Sequence, residues 1–85
     1  MGEQDLHEIK APVAGRFFHS AQAGAEPYVR VGSRVTAGQV VCIIEASYVL
    51  NEIESEVAGR VTEIAARDRQ KVDFGQTLFR VDPHG

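Results

Sequence analysis

A tetrapeptide that occurs twice constrains the fold of this 85-residue chain more than any other feature. Val13-Ala14-Gly15-Arg16 returns as Val57-Ala58-Gly59-Arg60 at an offset of 44, and Ile9 matches Ile53 at the same offset. Val35-Thr36-Ala37-Gly38-Gln39 is echoed by Val72-Asp73-Phe74-Gly75-Gln76 at an offset of 37, and each copy leads into an apolar run ending at Ile44 or Val81. Self-similarity of this kind marks one structural unit repeated and packed against itself. The offsets differ by seven, so the first copy carries seven extra residues, which fall most naturally in His19–Pro27. That stretch is rich in small residues, follows no strand or helix period, and reads as a protruding loop.

The repeated unit is expected to be β. Val and Ile number 16 against three Leu, and branching at Cβ favours pleated strands. Strand patterns fall at residues 7–11, 16–19, 28–31, 39–45, 49–54, 60–64, around Val72, and at 77–81, with imperfect alternation near residues 57–64. Glycines 15, 32, 38, 59 and 75 mark corners, where positive φ or close backbone approach costs least. A duplicated four-strand unit can bury both apolar faces by packing its two sheets against each other around a pseudo-twofold axis, as a small sandwich or barrel. The junction between the halves is then a hairpin, Val40–Glu45 with Val49–Glu54, whose tip lies at or near Ala46-Ser47-Tyr48.

Charge and composition exclude several function classes. A net charge of −3 argues against a general attraction to phosphate backbones, so no nucleic-acid partner is expected. One cysteine makes no internal disulfide, and Cys42, between Val41 and Ile43, reads as a buried, unreactive small hydrophobe. No apolar run is long enough for a membrane helix. Met1-Gly2-Glu3-Gln4-Asp5 is too polar and acidic for a signal peptide, and Leu6 stands where a myristoylation motif takes Ser or Thr. A cytoplasmic setting is the expectation. His7, His19 and His84 are too widely spaced for a metal site, and no metal is expected.

Several runs carry a resemblance. Ile9-Lys10-Ala11-Pro12-Val13-Ala14-Gly15-Arg16-Phe17-Phe18, Val31-Gly32, Gly38-Gln39, Cys42–Ala46, Asn51–Glu54 and Phe74–Phe79 closely resemble the biotin carboxyl carrier domain of acetyl-CoA carboxylase. The resemblance covers about residues 7–82, leaving a polar N-terminal extension at 1–6 and a tail at 83–85. It implies the all-β biotinyl/lipoyl hammerhead fold, a flattened barrel or sandwich of two four-stranded antiparallel sheets with pseudo-twofold symmetry, no enzymatic activity of its own, and a thumb loop where the seven extra residues lie. It also implies an Ala-Met-Lys-Met sequence at the hairpin tip, whose lysine accepts biotin. Here the aligned residues are Ala46-Ser47-Tyr48-Val49, with Tyr48 at the lysine position between Ser47 and Val49, and the only lysines are Lys10 and Lys71. Neither reaches the tip by a one- or two-residue slip of the alignment. A phenol is mostly protonated near neutral pH and forms a labile aryl ester, so no attached biotin and no other cofactor is expected.

Two readings follow. In the first, the domain is a pseudo-carrier that scaffolds or regulates an acetyl-CoA carboxylase-type assembly. Its partners are then a biotin carboxylase, a carboxyltransferase or an ordinary biotin carrier subunit, and its contact residues are Ser47 and Tyr48 at the tip with Gln22, Ala23 and Gly24 in the thumb. In the second, the carrier has been recruited to a specialised pathway, tethering a different acyl or aminoacyl group through Ser47 or Tyr48. Glu52, Glu54 and Glu56 alternate along one strand, which places them on one face, expected to be solvated rather than catalytic.

Overall fold

The computed structural model describes residues 5–85, so residues 1–4 of the expected extension lie outside the described residues. Eight strands run in chain order: β1 (His7–Lys10), β2 (Gly15–Phe18), β3 (Arg34–Val35), β4 (Val40–Ala46), β5 (Val49–Glu54), β6 (Gly59–Ile64), β7 (Lys71–Val72) and β8 (Thr77–Asp82). They form two four-stranded antiparallel sheets, ordered β1-β8-β6-β3 and β5-β4-β2-β7. Advancing every strand of one order by four converts it into the other, so the duplication read from the sequence is a symmetry of the topology. Each sheet takes two strands from each half of the chain.

The symmetry reaches individual hydrogen bonds. Gly38 N–H donates to Ser55 O and Gly75 N–H to Ala11 O, both at 2.8 Å. The Gln39 carboxamide oxygen accepts from Thr36 N–H at 3.1 Å, and that of Gln76 accepts from Asp73 N–H at 2.9 Å. Arg16 Nη1 donates to Arg69 O at 2.6 Å and Arg60 Nη1 to Gly32 O at 2.8 Å. The Gly-Gln and VAGR repeats are therefore the same turn and the same cap, built twice. Phe18 and Tyr28 bracket nine residues in the first half where Thr62 and Ala65 bracket two in the second, so the whole excess lies in residues 19–27.

Residues 28–31, read above as a strand, instead run as irregular chain, and the third strand is Arg34–Val35. Two contacts impose this. Arg30 N–H donates to the Ser33 hydroxyl, and Gly32 takes φ +96° while its N–H donates to Val61 O, turning the chain away before it can pair. Val29 still enters the core. The uneven alternation also has a cause: pairing registers slip between Val40 and Cys42 in β4, between Val61 and Glu63 in β6, and opposite the Ile9/Lys10 step of β1. Such bulges let neighbouring side chains share one face. In β4 they leave Val41 and Cys42 both in the core.

Between the sheets lies a core of Ile9, Phe17, Val35, Val41, Cys42, Ile44, Ile53, Val61, Val72, Leu78, Phe79 and Val81. Phe17 and Phe79 meet with ring centroids 5.9 Å apart at 50°, a tilted geometry that adds roughly 0.5–1.5 kcal/mol beyond area burial. At the offsets of 44 and 37 their repeat mates are Val61 and Cys42, so the interior is filled by a large pair related to a small pair. Cys42 is fully buried, and desolvation pushes its thiol from the ordinary 9.0 up to about 12.

Gly15 and Gly59 set the sheet geometry. A Cβ on Gly15 would overlap Glu45 O and stand 2.8 Å from Ile44 Cγ2; on Gly59 it would overlap Asp82 O and stand 2.8 Å from Val81 Cγ1. Two expectations follow. Gly15→Ala and Gly59→Ala should each lower the unfolding free energy by about 1–3 kcal/mol, the usual range for overpacking, read by urea denaturation. The Cys42 thiol is held protonated in the folded state while the unfolded state ionises it from about pH 9, so between pH 9 and about 12 its contribution to stability falls as pH rises. Substitution by Val should flatten that part of the stability profile.

Candidate functional site

The hairpin joining the halves ends in a two-residue bend. Ala46 pairs with Val49, leaving Ser47 and Tyr48 as the central residues with φ +52° and +65°. Positive φ at both positions defines the turn whose twist matches a right-twisted hairpin, a place where Asn-Gly is preferred. Side chains with Cβ are strained there, and the bend thrusts Tyr48 outward, 97% exposed, with Val49 and Leu50 also exposed. Asn51 steadies the strands below, donating from Nδ2 to Ile44 O at 3.1 Å and Val49 O at 3.3 Å.

The thumb is pinned at its base. Tyr28 N–H donates to His19 O at 2.9 Å, His19 N–H donates to Asp68 Oδ1 at 3.0 Å, and His19 Nε2 stands 3.6 Å from Asp68 Oδ2. Inside the loop the Ser20 hydroxyl donates to Gln22 O at 3.0 Å, and Ala25 N–H donates to the same oxygen at 3.1 Å. Gly24, at φ +81°, turns the chain with open space where a side chain would be.

Tip and thumb border adjacent grooves that share Glu45. One groove, about 270 Å³, runs between Gln22 and Ala23 of the thumb and an apolar floor of Phe18, Ile43 and Leu50, with Asp68 and Arg69 at its end. The other passes beneath Ser47 and Tyr48 along Gly15, Arg16 and Lys71. Of the residues expected from sequence, Ser47 and Tyr48 line the second groove, Gln22 and Ala23 the first, and Val49 and Gly24 neither. Phe18, Ile43 and Asp68 were legible only in part. Ile43 is paired with Phe18 on the outer face of its sheet, only 6% exposed and outside the central cluster, where it forms part of the floor of the thumb groove. An unbroken apolar run from Val40 to Ile44 is the sequence signal of a strand buried on both faces.

Lys71 lies nearer the tip than its sequence position suggests, since it lines the same groove as Ser47 and Tyr48. It is held on edge strand β7, paired with Arg16, which in turn pairs with Glu45 of β4. Two strand spacings, roughly 10 Å, separate its backbone from that of β4. Lys10 lies on β1 in the other sheet. Glu52, Glu54 and Glu56 are exposed as expected. Among the described residues no group of His, Cys, Asp or Glu is arranged to hold a metal ion, and no helix is long and apolar enough to cross a membrane.

Two interleaved copies of a four-strand unit, joined by an exposed two-residue bend and flanked by a thumb, define a domain of the biotinyl/lipoyl carrier class. The family model described as "Biotin-requiring enzyme", the biotin/lipoyl attachment domain, matches residues 7–81, and the chain belongs to that family. It is 41% identical over 81 residues to the biotin carboxyl carrier protein of acetyl-CoA carboxylase of Nostoc sp., covering 95% of this chain and 44% of that protein. It is 42% identical to the chloroplastic carrier protein 1 of Arabidopsis thaliana, covering 95% of this chain and 29% of that one. The Pyropia yezoensis carrier protein is 45% identical over 74 residues, 87% of this chain and 47% of its own length. The chain thus spans less than half the length of these three relatives. The crystal structure of Kluyveromyces lactis urea carboxylase contains a similar fold, with a TM-score of 0.75 and 26% identity over 91% of this chain and 6% of that one.

The bend geometry yields a measurable expectation. Replacing Ser47-Tyr48 by Asn-Gly should raise the unfolding free energy by about 1–2 kcal/mol by relieving the left-handed positions. An unchanged midpoint in thermal denaturation would show that Ser47 and Tyr48 sit there without strain.

Proposed function

We propose that this domain is a pseudo-carrier, a scaffold or regulatory subunit that occupies a carrier's place in an acetyl-CoA carboxylase-type assembly without bearing biotin. One observation carries the reading. The carrier hairpin and its exposed bend are retained, while the side chains offered at the bend are a hydroxyl and a phenol. Biotin is held on its carriers by an amide, formed when a lysine amine displaces the activating group from the biotin carboxyl carbon. The residues at this bend do not fit that group, because neither is an amine. Lys71 lines the groove beside the bend, but its backbone belongs to β7 rather than to the turn.

Tyr48 suits a contact role. A rigid ring that is almost wholly exposed supplies amphipathic area of the kind enriched at interface hot spots. Gln22, Ala23 and Gly24 present the thumb as a second contact surface. Biotin carboxylase, carboxyltransferase or an ordinary biotin carrier subunit are the partners this reading names, in a cytoplasmic setting.

The test is direct. Co-expressed with a biotin ligase and free biotin, the protein should give no streptavidin band and an intact mass equal to that of the bare chain. Ser47→Met with Tyr48→Lys and Val49→Met should turn it into a ligase substrate. A streptavidin signal on the unaltered chain would overturn the reading. A stable adduct of another mass on Ser47 or Tyr48, in protein from its native host, would replace it with the recruited-carrier alternative.

A further inference from the structure

The charges of this domain are sorted between its two flanks. Edge strands β1 and β5 lie side by side, since Glu8 and Lys10 share a groove with Glu52, Glu54 and Glu56. The other two edges, β3 and β7, therefore form the opposite flank. Lys71 and Arg34 stand on those edges, each directly paired with another cation, Arg16 and Arg60 respectively. Arg30, Arg67 and Arg69 occupy the segments leading into them. Seven of the nine Lys and Arg residues thus gather on or beside the β3/β7 flank.

Arg16 and Arg60 face carboxylates across their inner strand neighbours, Glu45 and Asp82 respectively, so the charges left without a partner are those on the edges themselves. Among the described residues, Arg34, Lys71, Glu52 and Glu54 have no opposite charge within 4.0 Å. On the basic flank Glu26 and Asp68 are taken up by Arg30 and by His19 and Arg69, while Asp73 stands at its tip end. Like charges directly opposite each other across strands are destabilising, and both cation pairs are retained in the two copies of the repeat.

Charged residues on an edge ordinarily keep sheets from adding to one another. Charges of a single sign on all edges would add mutual repulsion. Here the signs are opposite, which leaves one edge combination attractive: β5 flank to β3/β7 flank. We propose that the occupant of each flank is a second copy of this chain, docked head to tail, with the acidic β1/β5 side of one molecule on the basic β3/β7 side of the next. Such a heterologous contact extends along a row rather than closing as a two-fold dimer. It makes no use of the bend, so it stands or falls independently of the pseudo-carrier reading.

Sedimentation velocity over a range of protein concentrations tests it, in about 20 mM and about 500 mM salt, between which the screening length shrinks several-fold. The average mass should grow with concentration at low salt and return to that of one chain at high salt. Glu52→Lys with Glu54→Lys makes both flanks basic, and Arg34→Glu with Lys71→Glu makes the second flank acidic. Each variant alone should remain monomeric, and an equimolar mixture should associate again. If reversal unfolds either variant, Glu54→Gln, which keeps the side-chain length, and Lys71→Gln, which shortens it by one bond, should each weaken association at least about threefold. A wild-type mass that stays at one chain in low salt, an association indifferent to salt, or a mixture that fails to associate would overturn the proposal.

Discussion

The closeness of two backbones governs this barrel. At Gly15 the chain passes so near the Glu45 carbonyl that no side chain fits, and the same contact recurs between Gly59 and Asp82. Each approach seats the start of an inner strand against the end of its neighbour, β2 against β4 and β6 against β8. The arginine that follows each glycine then reaches a turn carbonyl, closing the segment that leads to the far edge strand. Remove the glycine and both the pairing and the cap lose their geometry. That is the physical content of the repeated tetrapeptide: a small residue for proximity and a long donor for closure.

Much of this was readable from residue order because duplication leaves a spacing, and spacing survives where propensity is ambiguous. The two offsets located the loop excess, and the β-branched composition identified the strands. Periodicity failed where the chain departs from simple pleating. Tyr28–Val31 is apolar enough to pair, yet Gly32 and the Ser33 hydroxyl turn it aside. Ile43 is buried, as the unbroken apolar run of β4 suggests, but on the floor of the thumb groove rather than in the cluster between the sheets, a distinction that periodicity does not carry. The proximity of Lys71 to the bend is a property of strand order, which no local pattern encodes.

At the midpoint the same logic separates backbone from chemistry. The bend is a presentation device, holding two side chains in left-handed positions beyond the sheet edge. Its shape depends on the registers of β4 and β5, not on what is presented, so the reactive group can change while the shape persists. The thumb is likewise held from below, through Asp68 and the His19 backbone, leaving its outer residues unconstrained by the barrel.

Interleaving has a further effect. Since neither half of the chain owns a complete sheet, a polypeptide severed between Ser47 and Tyr48 would supply two fragments, each with unfilled strand positions that only the other can occupy. They should reassemble as a complementing pair, while neither persists alone. The large-and-small pairing of Phe17 and Phe79 against Val61 and Cys42 adds selectivity: two copies of the same fragment would bring together mismatched interior volumes. The midpoint is therefore a natural splice site, where a foreign segment can be accommodated without dissolving the barrel.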